Sequence, residues 1–249
     1  MKTLCKSDIG LVRATNQDAC QCGAFSDGAV WALVCDGMGG ANGGNIASRV
    51  AITEMQNQLQ ERYNPAEDEK GIQNLLLSCI YGANEKVFHM AQTQPELSGM
   101  GTTVVGAVVR QNRACVVHVG DSRAYAFSNG QLQRLTNDHS VVQELLDRGD
   151  ITEEEARNHP HKNVITRAVG VQNMVDVDVR FLDMQPDSTL LFCTDGLTNF
   201  VREEEIADCL SQYSGETLLD LLIEKALAGG GGDNVTVALI ENGGERSNG

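Results

Sequence analysis

Four short segments of this 249-residue chain place an aspartate at the end of an apolar run. Trp31-Ala-Leu-Val-Cys-Asp36-Gly37, Val116-Val-His-Val-Gly-Asp121-Ser-Arg123 and Leu190-Leu-Phe-Cys-Thr-Asp195-Gly196 each finish on the carboxylate. In Gly229-Gly-Gly-Gly-Asp233-Asn-Val-Thr236 the aspartate opens the run instead. A single Asp-Gly is ordinary turn chemistry, and Asp27-Gly28 reads as such a turn. Four strand-end aspartates in one chain argue for convergence at one edge of a packed pair of sheets. Carboxylates gathered in this way repel one another and raise each other's pKa unless cations neutralise them. Hard divalent cations, which take oxygen ligands, resolve that conflict. The balance of 19 Lys+Arg against 34 Asp+Glu, a net charge of −15, fits an acidic site and repels nucleic acid and anionic membrane surfaces.

The elements that must position these residues come in groups. Strand-like runs cover Ala29–Cys35, Thr102–Arg110, Arg113–Val119, Ala124–Phe127, Gln131–Leu135, Val175–Leu182, Ser188–Thr194 and Val235–Ile240. Asn129-Gly130 between two of them is a strong hairpin signal. Helical patterns span Asn45–Gln60, Ile72–Gln92, Val141–Arg148, Glu203–Gln212 and Glu216–Ala228. Thr152-Glu-Glu-Glu155 has capping-box spacing and predicts a short helix to about Asn158, with Glu153–Glu155 as its solvated first turn. Hairpin-linked strands with helices set apart from them predict an α+β fold of antiparallel sheets covered by helices, rather than alternating βαβ units.

A strand, then glycines, then a helix could also bind a nucleotide. The stretch Asp36-Gly-Met-Gly-Gly-Ala-Asn-Gly-Gly44 fails G-x-G-x-x-G because Asn42 stands where glycine is required, and no Gly-Lys-Ser/Thr occurs. Glycine after a ligating aspartate has another use, letting a backbone carbonyl approach a cation closely. The eight cysteines are scattered and contain no Cys-x-x-Cys, which predicts reduced thiols and neither a zinc knuckle nor a disulfide framework. Cys20 and Cys22 alternate along a strand, and packing is their expected role. No apolar run approaches the ~20 residues of a membrane span, and Met1–Gly10 carries no signal-peptide core, so a cytoplasmic protein is expected. Only Gly243–Gly249 reads as disordered.

Six segments in order resemble the PP2C protein phosphatases, particularly the compact bacterial forms: Arg13-x-x-Asn-Gln-Asp18, Asp36-Gly-Met-Gly-Gly40, Gly101-Thr-Thr103, Gly120-Asp-Ser-Arg123, Thr194-Asp-Gly196 and Gly232-Asp-Asn-Val-Thr236. Each alone is weak; together they run from about Asp8 to Ile240. The resemblance implies an α-β-β-α sandwich as one domain over residues 1–242, with a mobile flap at about 139–182. It also implies two Mg²⁺ or Mn²⁺ ions, a choice that all-oxygen ligation suits. By the same resemblance Asp36 bridges the metals with the Gly37 carbonyl as a further ligand, and Asp195 and Asp233 complete one of them. Asp18 orients metal-bound waters and Arg13 grips the substrate phosphate. The implied activity is hydrolysis of phosphoserine and phosphothreonine esters by water acidified between two cations, on protein substrates of a cognate kinase, by a monomer. The rival readings are a phosphoprotein-binding pseudophosphatase, a phosphatase dedicated to an anti-anti-sigma-type regulator, and a nucleotide-binding protein, the last disfavoured by the failed glycine patterns.

The chain departs from the family pattern at three places. Asn199 stands where bacterial members commonly carry a second aspartate, so Asp121 either helps hold a third, weaker metal or fixes its own turn. Ala41 replaces a histidine proposed elsewhere in the family as general acid. Metal-bound water is then the expected acid, with His139, His159 and His161 as further candidates and His89 and His118 as structural residues. Gln17 replaces a glutamate found in some members.

Overall fold

The computed structural model describes residues 1–243, with every side chain among them except those of Ala41, Asn42 and Arg157. The expected disordered tail therefore lies outside the described residues apart from Gly243, as does the side chain of Ala41. Strand β3 (Val30–Met38) shows how the sequence builds layers. Its even residues Val30, Ala32 and Val34 face one apolar cluster and its odd residues Trp31, Leu33 and Cys35 face another. A strand buried on both faces reads as a continuous apolar run rather than an alternating one. Each fully buried valine or leucine among them contributes about 1.5–3 kcal/mol, so the register of β3 is strongly fixed.

The second sheet places β2 (Asp18–Ala24), β3, β5 (Val104–Arg110), β6 (Arg113–Val119) and β9 (Asp178–Asp183) side by side, with the two-residue β4 (Gly101–Thr102) on the end of β3. The first sheet runs β1 (Lys2–Asp8), β11 (Val235–Asn242), β10 (Ser188–Cys193), β7 (Arg123–Ser128) and β8 (Gln131–Arg134). Every pairing is antiparallel. The sheets pack face to face on a layer that includes Val105, Leu190, Phe192 and Ile240. Helices α1 (Gly40–Arg62) and α2 (Glu69–Thr93) cover the outer face of the second sheet, and α6 (Glu203–Gln212) and α7 (Gly215–Ala228) cover that of the first. The result is the four-layer α-β-β-α sandwich.

Local signals explain the joins. Asn129 and Gly130 both take positive φ, 52° and 74°, as the two-residue turn between β7 and β8 requires. Thr152 and Glu155 close a reciprocal capping box on α4 (Glu153–Arg157), preceded by α3 (Val141–Asp147). Differences from expectation lie at edges. Strand β1 is an edge strand whose Lys2 and Lys6 are exposed and whose only apolar residues are Leu4 and Cys5, so no apolar run announces it. β3 continues through Asp36 to Met38 because β4 pairs with it there. The strand expected from Val175 begins at Asp178, where pairing with β6 starts, and a short helix, α5 (Asp195–Thr198), follows β10 directly.

Candidate metal centre

The acidic residues reach one place by separate routes. Asp36 and Asp18 stand opposite each other across the β3–β2 pair. The backbone of Asp36 is held on both sides: its N–H donates to Thr103 Oγ1 (2.9 Å), and its carbonyl accepts from Thr103 N (2.8 Å) and Thr102 Oγ1 (2.9 Å). Nothing but glycine fits at position 37, because a Cβ there would lie 2.0 Å from the Gly44 carbonyl oxygen of α1. Asp121 follows Gly120, whose φ of +110° turns the chain out of β6. The Gly120 amide donates to His139 Nδ1 (3.0 Å).

Asp195 opens α5, and a Cβ on its neighbour Gly196 would lie 1.8 Å from the Asn234 carbonyl oxygen, so glycine lets α5 close onto the start of β11. Asp233 precedes that strand and accepts from Arg13 Nη2 at 2.8 Å. Asn234 ties the Arg13 loop to it: its Nδ2 donates to the carbonyls of Ile9 (2.8 Å) and Thr15 (3.1 Å), and its Oδ1 accepts from Gln17 N (2.8 Å). Sequence reasoning missed this role of Asn234, although its place in the Asp-Asn-Val-Thr segment was the available signal.

Arg13, Asp36, Gly37, Asp121, Asp195 and Asp233 line one cavity of about 520 Å³. Asp18 lies buried behind it, its Oδ2 accepting from Thr194 Oγ1 at 2.9 Å. A groove of about 1000 Å³ shares Asp121 and Asp195 with the cavity and runs between α3–α4 and the start of α6.

The electrostatics are those of carboxylates short of counter-charge. Burial, then repulsion from Asp18, Asp195, Asp121 and Asp233, holds Asp36 well above the usual carboxylate range. Burial lifts Asp18 to about 7 against the hydrogen bonds of Thr236 and Thr194. Asp121 is raised by burial and by Asp195 and Asp138, and Asp195 by burial and by Asp233. Arg13, half-exposed, is raised by its bond to Asp233.

These residues fit divalent cations. Asp195 Oδ2 accepts from Asn199 Nδ2 (2.9 Å), but its buried Oδ1 has no hydrogen-bond partner, and a buried charged oxygen is costly to leave unpaired. The donor set is oxygen throughout, as Mg²⁺ and Mn²⁺ prefer. No three of these carboxylates bring donor atoms all within 4.8 Å of one another; among the described residues the group that does is His118, His139 and Asp178. There Arg167 Nη1 lies 3.0 Å from Asp178 Oδ1 and 3.3 Å from His139 Nε2, so the protein supplies its own cation.

The departures also find their places. Asn199 spends its amide on Asp195, Gln17 Nε2 donates to the Gly40 carbonyl (3.0 Å), and of the flap segment Asn163 and Ile165, rather than a histidine, line the cavity.

Comparison with known proteins identifies the chain's relatives. The family model for protein phosphatase 2C matches residues 12–221. The serine/threonine phosphatase stp of Listeria welshimeri is 39% identical over 237 residues, covering 95% of this chain and 94% of that protein. The structure of the Streptococcus agalactiae serine/threonine phosphatase superposes with a TM-score of 0.89 at 34% identity, over 96% of this chain and 98% of that one. The catalytic domain of the phosphatase PstP, solved in complex with two manganese ions, matches with a TM-score of 0.84 at 32% identity over 96% of each chain. The chain belongs to the protein phosphatase 2C family.

Proposed function

We propose that the acid-lined cavity is a binuclear Mg²⁺ or Mn²⁺ centre at which this metal-dependent protein serine/threonine phosphatase hydrolyses phosphoserine and phosphothreonine esters. The unpartnered buried oxygen of Asp195, beside carboxylates whose pKa values burial and mutual repulsion have raised, carries this reading. Asp36, the Gly37 carbonyl, Asp195 and Asp233 would hold the two ions, with Asp121 available to a weaker third. Bound there, such ions supply an acidified water as nucleophile and neutralise charge as the ester breaks.

The remaining steps belong to the chain. Arg13, half-exposed at the cavity rim and tethered through Asp233, offers a planar pair of donors to two phosphate oxygens. Asp18, fixed by Thr194 behind Asp36, accepts hydrogen bonds from water entering the centre. The groove beside Asp121 and Asp195 takes the polypeptide on either side of the phosphoresidue.

The substrates in this reading are phosphoproteins of a cognate kinase, met in the cytoplasm by a monomer; no helix among the described residues is long and apolar enough to cross a membrane. A pseudophosphatase would have lost ligands, whereas this sequence retains the core aspartates. A dedicated anti-anti-sigma-type substrate would use the same chemistry and is separated by substrate tests alone. Hydrolysis of p-nitrophenyl phosphate and of a phosphothreonine peptide with Mn²⁺ or Mg²⁺, and its loss in EDTA, is the expected result. Metal-independent turnover, or none with either metal, would overturn the proposal.

A further inference from the structure

Five of the eight cysteines are buried, and the three that are only partly covered, Cys5, Cys20 and Cys22, stand together. Cys5 lies on β1, the edge strand of one sheet, and Cys20 and Cys22 lie on β2, the edge strand of the other. Register fixes where they point. Cys5 pairs across to Ala238, Cys20 to Val34 and Cys22 to Ala32, and all three partners belong to the layer between the sheets. The three cysteines pack against that same layer. Cα atoms of β1 and β2 approach within 8 Å at this open edge. The Cys5 side chain therefore enters the layer beside Cys20 and Cys22 rather than pointing away from them. Cys20 and Cys22, two residues apart on one strand face, are each better placed to meet Cys5 than each other.

We propose that Cys5, Cys20 and Cys22 form a disulfide-forming site in which Cys5 is the shared partner, bonding to either Cys20 or Cys22 on oxidation by a peroxide and stapling the edge strands of the two sheets together. In the first step a thiolate of the trio attacks a peroxide oxygen, and water leaves to give a sulfenic acid. A second thiolate then attacks that sulfur, forming S–S and releasing a second water. Two thiols and one hydrogen peroxide thus give one disulfide and two waters. The third thiol remains free to exchange with the bond, moving it between Cys20 and Cys22.

The closed segment has a functional content. Residues 5–20 include the loop that carries Arg13 and the first residue of β2, Asp18, so the staple fixes both strands that feed the phosphate-binding loop. Hydrogen bonding to Cys20, opposed by Cys22 and reinforced by burial, pushes the Cys5 thiol up to about 12, and Cys5 together with burial raises Cys22. Oxidation is accordingly slow near neutral pH and quickens as pH rises.

The test is hydrogen peroxide treatment of dilute full-length protein, followed by tryptic peptide mass mapping under non-reducing conditions. Trypsin releases Thr3–Lys6 and Ala14–Arg49 as separate peptides, so the staple appears as these two joined with the loss of two hydrogens. Fragmentation then separates Cys20 from Cys22. Cys5→Ser should abolish the cross-link, Cys20→Ser and Cys22→Ser should each retain it through the other cysteine, and the Cys20→Ser/Cys22→Ser pair should abolish it. Closing a loop of about 15 residues should raise Tm of the oxidised wild type by roughly 5–10 °C, reversed by a thiol reductant. A cross-link that survives Cys5→Ser, oxidation only to sulfinic acid, or a bond only between two molecules would overturn the proposal. None of these readouts depends on phosphatase activity.

Discussion

Asp18→Asn separates the metal centre's electrostatics from its packing. Asparagine keeps an oxygen for Thr194 Oγ1, now 2.9 Å from Asp18 Oδ2, and removes the charge. In the folded protein without divalent metal, Asp18 titrates near 7 rather than 3.8 because burial and its acidic neighbours disfavour the anion. Between about pH 4 and pH 7 the folded chain therefore holds a proton that the unfolded chain has released. Stability contributed by that proton is fully present below the unfolded value and is lost as pH rises through the folded one. A difference of about three units, at 1.36 kcal/mol each, sets an upper bound of about 4 kcal/mol. Coupling to Asp36, Asp195 and Asp233 spreads part of this over the group, so a smaller figure is expected.

The assay is thermal unfolding of wild type and Asp18→Asn in EDTA from pH 4 to pH 8. Both proteins lose stability as pH rises, since Asp36, Asp121 and Asp195 remain, but the variant should lose less. At pH 4 the two should nearly coincide; by pH 8 the variant should lead by up to about 10 °C in Tm for a domain of this size. Saturating Mn²⁺ should reverse the order, because a cation bound to the folded state favours ionised carboxylates and releases their protons. A constant gap between the two proteins across the whole pH range in EDTA would refute the reasoning.

Three further outcomes follow from the same geometry. Asp36→Asn should abolish hydrolysis and lower bound Mn²⁺ by elemental analysis while far-ultraviolet circular dichroism stays unchanged; full activity with unchanged metal content would sink the two-metal reading. Arg13→Ala should lower kcat/KM by at least about tenfold, mainly through KM, and an unchanged value would leave Arg13 as a surface ion pair with Asp233. Asp147, Glu153, Glu203 and Glu204 line the groove beside the centre with no salt bridge among the described side chains, against one such cation, Lys162, since Arg123 and Arg134 are held by Asp138 and Arg202 by Glu205. Phosphothreonine peptides with flanking lysines should therefore be preferred over glutamate-flanked ones, less so at high salt, and equal kcat/KM for the two would count against the groove as the polypeptide's path.

The sandwich was legible because its inner strands are buried on both faces. Val104–Arg110 and Val235–Ile240 are apolar enough to announce themselves, and Asn129-Gly130 admits one turn geometry. Edge strands gave a weaker signal: β1 alternates apolar residues with Lys2, Lys6 and Ser7 over too short a span, and its pairing with β11 joins the two ends of the chain, which no local pattern reports. Four of the site's carboxylates were visible as aspartates at strand ends, Asp36 and Asp195 with a glycine after them, whereas Asp18 came from the family resemblance alone. The scaffolding behind them was not, because the bonds of Asn234 to Ile9, Thr15 and Gln17 span more than 200 positions. The thiol trio was hidden for another reason, since its members lie close in sequence but on different sheets. Cys20 and Cys22 read as packing residues, and only the meeting of the two sheet edges brings Cys5 beside them.

The proton for the leaving oxygen is where geometry goes furthest beyond residue spacing. Ala41 offers none, and three histidines around the flap remained candidates. His139 is committed on both nitrogens, Nδ1 accepting from Gly120 N and Nε2 lying 3.2 Å from Asp178 Oδ2. His159 Nδ1 accepts the amide of His161, the two rings stand 5.6 Å apart, and neither lines the cavity. His118 is buried, with both ring nitrogens unpartnered and its pKa depressed by burial to about 3, so it is neutral at any working pH. A positioned acid must come within hydrogen-bond reach of the leaving oxygen, and no histidine lines the cavity. In the reading proposed above, water held by the aspartates supplies that proton. His139 then serves a different end: by holding the Gly120 amide it sets the backbone from which Asp121 enters the site.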